Sequence, residues 1–307
     1  MIAISGRRLS SDAMSTDPIP IGSGALQALV SPLGAELKNL RLHGDEWLWQ
    51  GDPASWPRQA PVLFPYCGRC RDRVIRVKGT VFPNQPIHGF APDSVFQVAE
   101  QTPDTLSLVL EDTPATRTLY PFAFRLMVTF SVRDRAFQQE IVVTNTGTET
   151  LPVSAGFHPG FRWPIPSQTD RQRHILRFEH HETAPVALPD SDGLMGGTTM
   201  PNPIRDSVLR LDDTLFHAGS AVFQNLKSRS LWYGVPGHPG LRLDFTTPHL
   251  VLWRWPGPGS ADFLCIEPWA GLPDPAGFSG ELREKPGMTL LPPGTDTKWG
   301  IILSLEA

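Results

Sequence analysis

The apolar residues of this chain fall in short runs, and several of those runs are apolar at every second position. "TLSLVLED" (105–112), "FRLMVTFSVR" (124–133), "FQQEIVVTNT" (137–146), "LRLDFTT" (241–247) and "LVLWRW" (250–255) are rich in β-branched and aromatic side chains. A period of two sends alternate side chains to opposite faces of a strand, so these runs predict half-buried β-strands. "DFLCIEP" (262–268) and "KWGIILSLE" (298–306) are more continuously apolar and predict strands buried more deeply. No stretch sustains a 3.6-residue period. Turn formers such as Asn145-Thr146-Gly147, Pro236-Gly237 and Pro256-Gly257-Pro258-Gly259 separate the runs.

Composition sharpens this picture. The 307 residues include 27 glycines and 32 prolines. Proline breaks helices and is excluded from central strands, so short elements joined by many turns are required. The expected fold is all-β, two large antiparallel sheets packed as a sandwich, with few short helices. No repeat of fixed period and no change of composition marks a linker. Residues 21–307 are therefore expected to form one domain, preceded by a polar, flexible extension over residues 1–20. "PVALPDSDGLMGGTTMPNPIRD" (185–206) predicts a long loop, a feature that in compact domains is often functional or mobile.

Charge and cysteine content exclude several classes. A formal net charge of −4 argues against a long basic face for nucleic acid. No apolar run approaches the roughly 20 residues that cross a bilayer. The opening "MIAISGRRLSSDAMSTDP" lacks the apolar segment of about 7–15 residues that a secretory signal needs. With only three cysteines, a cytoplasmic location with free thiols is the simplest expectation. Cys67 and Cys70 in "PYCGRCRDR" (65–73) have Cys-x-x-Cys spacing. A thioredoxin-like motif needs a βαβ context, and a metal knuckle needs a second ligand pair that Cys265 alone does not supply. The arginines of this stretch carry more weight than its thiols.

Three motifs hold the candidate chemistry: His88 in "QPIHGFAPD", His158 in "SAGFHPGFRWP" and Glu267 in "FLCIEPWAGLPD". Each places one titratable side chain where a strand gives way to a proline- or glycine-bearing turn. A strand holds such a group firmly while the turn leaves room for substrate. Either histidine alone would fit an ordinary loop position, and Glu267 alone would fit a structural ion pair. Burial of Glu267 among apolar neighbours would raise its pKa. His174, His180 and His181 lie in a polar segment and are expected on the solvated surface. No short metal-ligand spacing such as His-x-x-x-His occurs, so the histidines are read as acid/base groups, with no metal and no cofactor.

Taken in order, these segments resemble the aldose 1-epimerase (mutarotase) family. The resemblance begins in "GAELKNLRLHGDEWLWQGDPASWPRQAPVLFPYCGR" (34–69) and continues through "HGFA" (88–91), "NTGTETLPVSAGFHPGF" (145–161) and "CIEPWAGLPD" (265–274). It closes on "LLPPGTDTKWGIILSL" (290–305), so it covers roughly residues 24 to 305. It implies a galactose mutarotase-like supersandwich that interconverts the α and β anomers of a free sugar. By the same resemblance, Glu267 is the base, His158 the general acid and His88 a second histidine near the ring oxygen. The substrate-binding arginine falls on Arg73, with Arg69 and Arg71 as competitors. The aspartate that reads a sugar hydroxyl falls on Asp213, or is replaced at Ser220. Trp269, and with it Phe90 or Trp163, is a candidate for packing on the sugar face.

The chemistry accounts for these residue types. Anomer exchange needs a base for the O1 proton and an acid for the ring oxygen; the ring opens, C1–C2 rotates, and closure reverses both transfers. Groups titrating near the working pH serve best in both directions. The expected partner is a small-molecule sugar, with no nucleic acid and no membrane, the protein being a monomer or homodimer. Alternatives are a hexose-6-phosphate mutarotase, with "RCRDRVIR" (69–76) holding the phosphate, and a non-catalytic sugar-binding sandwich.

Overall fold

A computed structural model describes residues 15–166, 168, 170–216, 219–257 and 261–306; residues 1–14 of the expected extension lie outside these. The first strand begins at Ile19. Two large antiparallel sheets carry the fold. The nine-stranded sheet runs in the order Val208–Arg210, Ile175–Phe178, Ser230–Gly234, Gly240–Phe245, Asp296–Glu306, Ala136–Asn145, Phe124–Arg133, Thr105–Glu111 and Gln97–Gln101. The eight-stranded sheet runs Thr199–Met200, Val186–Ala187, Ser220–Phe223, His249–Trp253, Phe263–Trp269, Gly156–Phe157 and Val62–Leu63, with Gly160–Arg162 also paired to Phe263–Trp269. A four-stranded sheet, Ile19–Ser23, Leu26–Ser31, Glu36–Leu42 and Asp45–Glu46, leads into the second of these.

The period of two becomes the core. In Phe124–Arg133, Phe124, Leu126, Val128, Phe130 and Val132 are buried while the residues between them turn outward. They join Leu250, Leu252, Leu264 and Ile266 of the eight-stranded sheet in one apolar cluster, so each large sheet gives one face to the sandwich. Burying each such side chain contributes about 1.5–3 kcal/mol. Strand Phe263–Trp269 is buried throughout, as its continuous apolar run predicts. Strand Asp296–Glu306 departs from expectation. It buries Trp299, Ile301 and Leu303 but leaves Ile302 exposed, because it is central in a sheet whose outer face meets water.

Two other expectations need correction. His174 is fully buried: its Nε2 accepts from Ile165 N at 3.2 Å, and its Nδ1 lies 3.0 Å from Asp170 O. Satisfying both ring nitrogens lets a polar group enter the core. His180 and His181 are exposed, as expected. The 185–206 segment is no structureless loop. It contributes the paired strands Val186–Ala187 and Thr199–Met200, and Met195 N donates to Asp274 O at 2.9 Å.

A buried carboxylate joins the small sheet to the large one. Glu36 Oε1 accepts from Gln59 N at 2.6 Å and Ala60 N at 3.2 Å, while Oε2 lies 3.4 Å from Lys38 Nζ and 3.9 Å from Arg58. These bonds hold the chain entering Val62–Leu63, the edge of the eight-stranded sheet. Replacing Glu36 with alanine leaves two buried N–H groups unpaired and should cost about 2–5 kcal/mol. A urea midpoint unchanged by Glu36→Ala would contradict this.

Candidate active site

Alternation along Phe263–Trp269 sends Leu264 and Ile266 into the sandwich core and Phe263, Cys265, Glu267 and Trp269 to the opposite face. Register then sets what stands beside Glu267. Gly156 is paired with Trp269, and Gly160 with Cys265. Counting two residues inward on each strand puts His158 opposite Glu267, at the break where Pro159 offers no N–H to the ladder. The side chains meet there: His158 Nε2 lies 3.1 Å from Glu267 Oε2. Both are buried, Glu267 almost completely.

Aromatic groups enclose this pair. Trp269 Nε1 donates to Glu267 Oε2 at 3.1 Å. Trp56 stacks on His158 at a centroid distance of 5.0 Å, and Trp253 meets the same ring edge-on at 5.8 Å. Gly160 makes the stacking possible, because a Cβ there would stand 2.5 Å from Trp56 Cζ3. Trp56 and Trp253 are half-buried and present ring surface on this face. Sequence reasoning missed both. In "LVLWRW" the core positions Leu250 and Leu252 already place Trp253 on the other face, whereas nothing local announces Trp56.

His88 arrives by a different route. It has φ +65° and is followed by Gly89 at φ +76°, where a Cβ would lie 2.1 Å from Phe64 O; only glycine fits. His88 N donates to Gly68 O at 2.9 Å, and Gly68 N donates to His88 Nδ1 at 3.1 Å. With Nδ1 accepting, the neutral ring carries its proton on Nε2. The His88 ring sits 5.3 Å from that of His158 and 5.2 Å from Trp269.

Desolvation dominates the electrostatics. Burial raises the Glu267 carboxyl well above the carboxylate range, against a smaller lowering by the Trp269 N–H. Burial lowers His158, and Arg58 lowers it further. Burial also lowers His88 well below its ordinary value, with His158, Arg69 and Arg58 adding in that order. Burial therefore favours a neutral hydrogen-bonded pair with the shared proton on Glu267; passing it to His158 makes a carboxylate and an imidazolium.

The remaining sequence candidates divide. Arg69 is exposed, its side chain lies against Gly193, and its charge acts on His88. Among the described residues its guanidinium has no hydrogen-bonded or ion-paired partner. Arg73 is exposed on the turn Arg71–Arg73, and the group it acts on is Tyr66. Arg71 is spent on Phe278 O, Asp72 and, through its N–H, Asp274. Asp213 pairs with Arg171 and Arg254 beside Trp163. Ser220 is the register partner of Trp253 and so lies on the Glu267 face. Phe90 and Trp163 are core residues. Cys67 and Cys70 are free and buried, and burial pushes each thiol up to about 12.

Comparisons with known proteins follow the same lines. The aldose 1-epimerase family model matches residues 18–286. Protein LacX (chromosomal) of Lactococcus lactis subsp. lactis is 31% identical over 277 residues, covering 87% of this chain and 92% of that protein. A galactose mutarotase related enzyme from Lactobacillus acidophilus superposes with TM-score 0.86 at 26% identity, covering 94% of this chain and 97% of the other. A galactose mutarotase-like protein from Lactobacillus casei ATCC 334 gives TM-score 0.87, also at 26% identity, covering 94% and 100%.

The raised Glu267 pKa has a signature in stability. Above the ordinary value of 4.5, the unfolded chain ionises at this position while the folded chain keeps its proton, so stability is lost as pH rises. Glu267→Gln removes that titration. The variant should melt higher than wild type at pH 7–8, with the gain shrinking toward pH 4.5. A difference in Tm that stays constant across this range would contradict the assignment.

Proposed function

Because the chain belongs to the aldose 1-epimerase family, we propose that it interconverts the α and β anomers of a free hexose by opening and reclosing the ring. The observation that carries this reading is the opposed pair His158–Glu267, with the His88 donor beside it on one sheet face. A hemiacetal presents two oxygens on one carbon, so acid and base must lie close together. Adjacent strands supply that spacing.

With the shared proton on His158, Glu267 is the base for O1–H and His158 the acid for the ring oxygen. Opening moves one proton from O1 to Glu267 and one from His158 to O5, leaving both protein groups neutral. That is the state burial favours. Rotation about C1–C2 exposes the other carbonyl face, and closure returns both protons. His88, with its proton on Nε2, stabilises the charge that develops on the ring oxygen. Trp56 and Trp253 offer apolar faces to the sugar ring. The protein groups alone complete this cycle.

A second reading, exchange of hexose 6-phosphates, is favoured by one feature, the unpaired guanidinium of Arg69 near His88. A charge-assisted contact is worth about 1.5–3 kcal/mol, so Arg69→Ala should raise KM for a phosphorylated sugar roughly 10- to 100-fold if phosphate binds there. An equal, small effect on glucose, galactose and their 6-phosphates would leave the free-hexose reading.

Glu267→Gln and His158→Asn should each lower catalysed exchange by about 10²–10⁴-fold. The double variant should lose little more than either single one, since the two act as a unit. Polarimetry of freshly dissolved α-galactose measures all three. Full activity in either single variant would contradict the assigned roles.

A further inference from the structure

Cys265 has no role in the proton transfers, yet its position is not neutral. Its Sγ, a ring nitrogen of His158 and a carboxylate oxygen of Glu267 all lie within 4.8 Å of one another, and all three residues are buried. Register again explains the grouping. Cys265 and Glu267 alternate onto the same face, and Gly160, the residue paired with Cys265, has no side chain to separate the thiol from His158. The expectation of no metal site rested on ligand spacing along the chain, and these ligands come from two strands.

One thiol, one imidazole and one carboxylate make a donor set suited to zinc and its soft neighbours. Donor atoms about 2.0–2.3 Å from a zinc ion lie roughly 3–4 Å apart. His158 Nε2 and Glu267 Oε2 already meet that spacing at 3.1 Å, and the Cys265 thiol lies within 4.8 Å of a ligand atom of each. Charge favours it too. A divalent cation with one thiolate and one carboxylate sums to zero, so the assembly avoids the cost of burying any single ion. The binding is capture rather than permanent tenancy. Among the described residues, His158 Nδ1 is buried with no hydrogen-bond partner on another residue, and a metal-bound histidine without a carboxylate or carbonyl on its far nitrogen loses about 10–100-fold in affinity.

We infer that His158, Cys265 and Glu267 form a reversible binding site for a soft divalent cation of the zinc class. Its fourth position is left to water or a sugar hydroxyl, and its occupancy removes both proton-transfer groups at once. The binding stands independently of the proposed activity; the inhibition rests on it.

Titration of the full-length protein with Cd²⁺, followed by thiolate-to-metal charge-transfer absorption, tests the site without a sugar. Wild type should give one saturable band at one equivalent. A double variant, Cys67→Ala with Cys70→Ala, should keep the band, and Cys265→Ala should lose it. If Cys265→Ala does not fold, Glu267→Gln should weaken the titration at least tenfold while all three thiols remain. Zn²⁺ should suppress anomer exchange in wild type, a chelator should restore it, and Cys265→Ala should exchange normally but resist Zn²⁺. No band with wild type, a band that survives Cys265→Ala, or one lost with Cys67 and Cys70 would overturn the proposal. If no sugar is exchanged, the cadmium titration still decides the metal question.

Discussion

Everything proposed for this protein depends on the register between strand Phe263–Trp269 and the interrupted strand that carries His158. Pairing Gly156 with Trp269 and Gly160 with Cys265 leaves no freedom in what faces Glu267. A slip of one residue would turn Glu267 and Trp269 into the sandwich core and bring Leu264 and Ile266 to the open face. The apolar alternation that drives folding therefore also aims the titratable groups. The core acts as the ruler by which the site is measured.

The same placement imposes an electrostatic cost. Glu267 and His158 are held where neither carries charge comfortably, and His88 is subject to the same pressure. A pair that is neutral at rest and passes one proton internally meets this constraint, whereas a permanent ion pair would not. The surroundings are built to keep geometry without adding charge: the Gly68–His88 exchange of backbone and ring hydrogen bonds, the Trp269 N–H on Glu267, and Trp56 stacked on His158. Polar anchoring is placed farther out, at Glu36 beneath the Gln59–Ala60 segment and at Lys285, which holds Asp274 at 2.5 Å.

Much of the fold could be read along the chain because it is local. Phe124–Arg133 alternates so regularly that its ends and its buried face follow from pattern alone. His88, His158 and Glu267, which the structure brings together, could be singled out as candidates because each stands beside a proline or glycine at a strand end and because the segments occur in a family's order. What escaped was set by the three-dimensional path of the backbone, which no periodicity encodes. Burial of His174 depends on partners at Ile165 and Asp170, and the exposure of Ile302 depends on which sheet face meets solvent. Trp56 reaches the site only because Gly160 lacks a side chain. The sequence offers both Asp213 and Ser220; Asp213 is engaged by Arg171 and Arg254, while Ser220 stands on the Glu267 face, placements that no spacing rule contains.

The most direct test is two-dimensional exchange NMR on anomeric mixtures of galactose and glucose at equilibrium, with wild-type protein at neutral pH. Equilibrium removes any question of driving force, and cross-peaks between the α and β H1 signals report ring opening and closure alone. The account predicts cross-peaks at mixing times too short for the spontaneous reaction. Their absence for free hexoses and for hexose 6-phosphates, in a correctly folded sample, would contradict it.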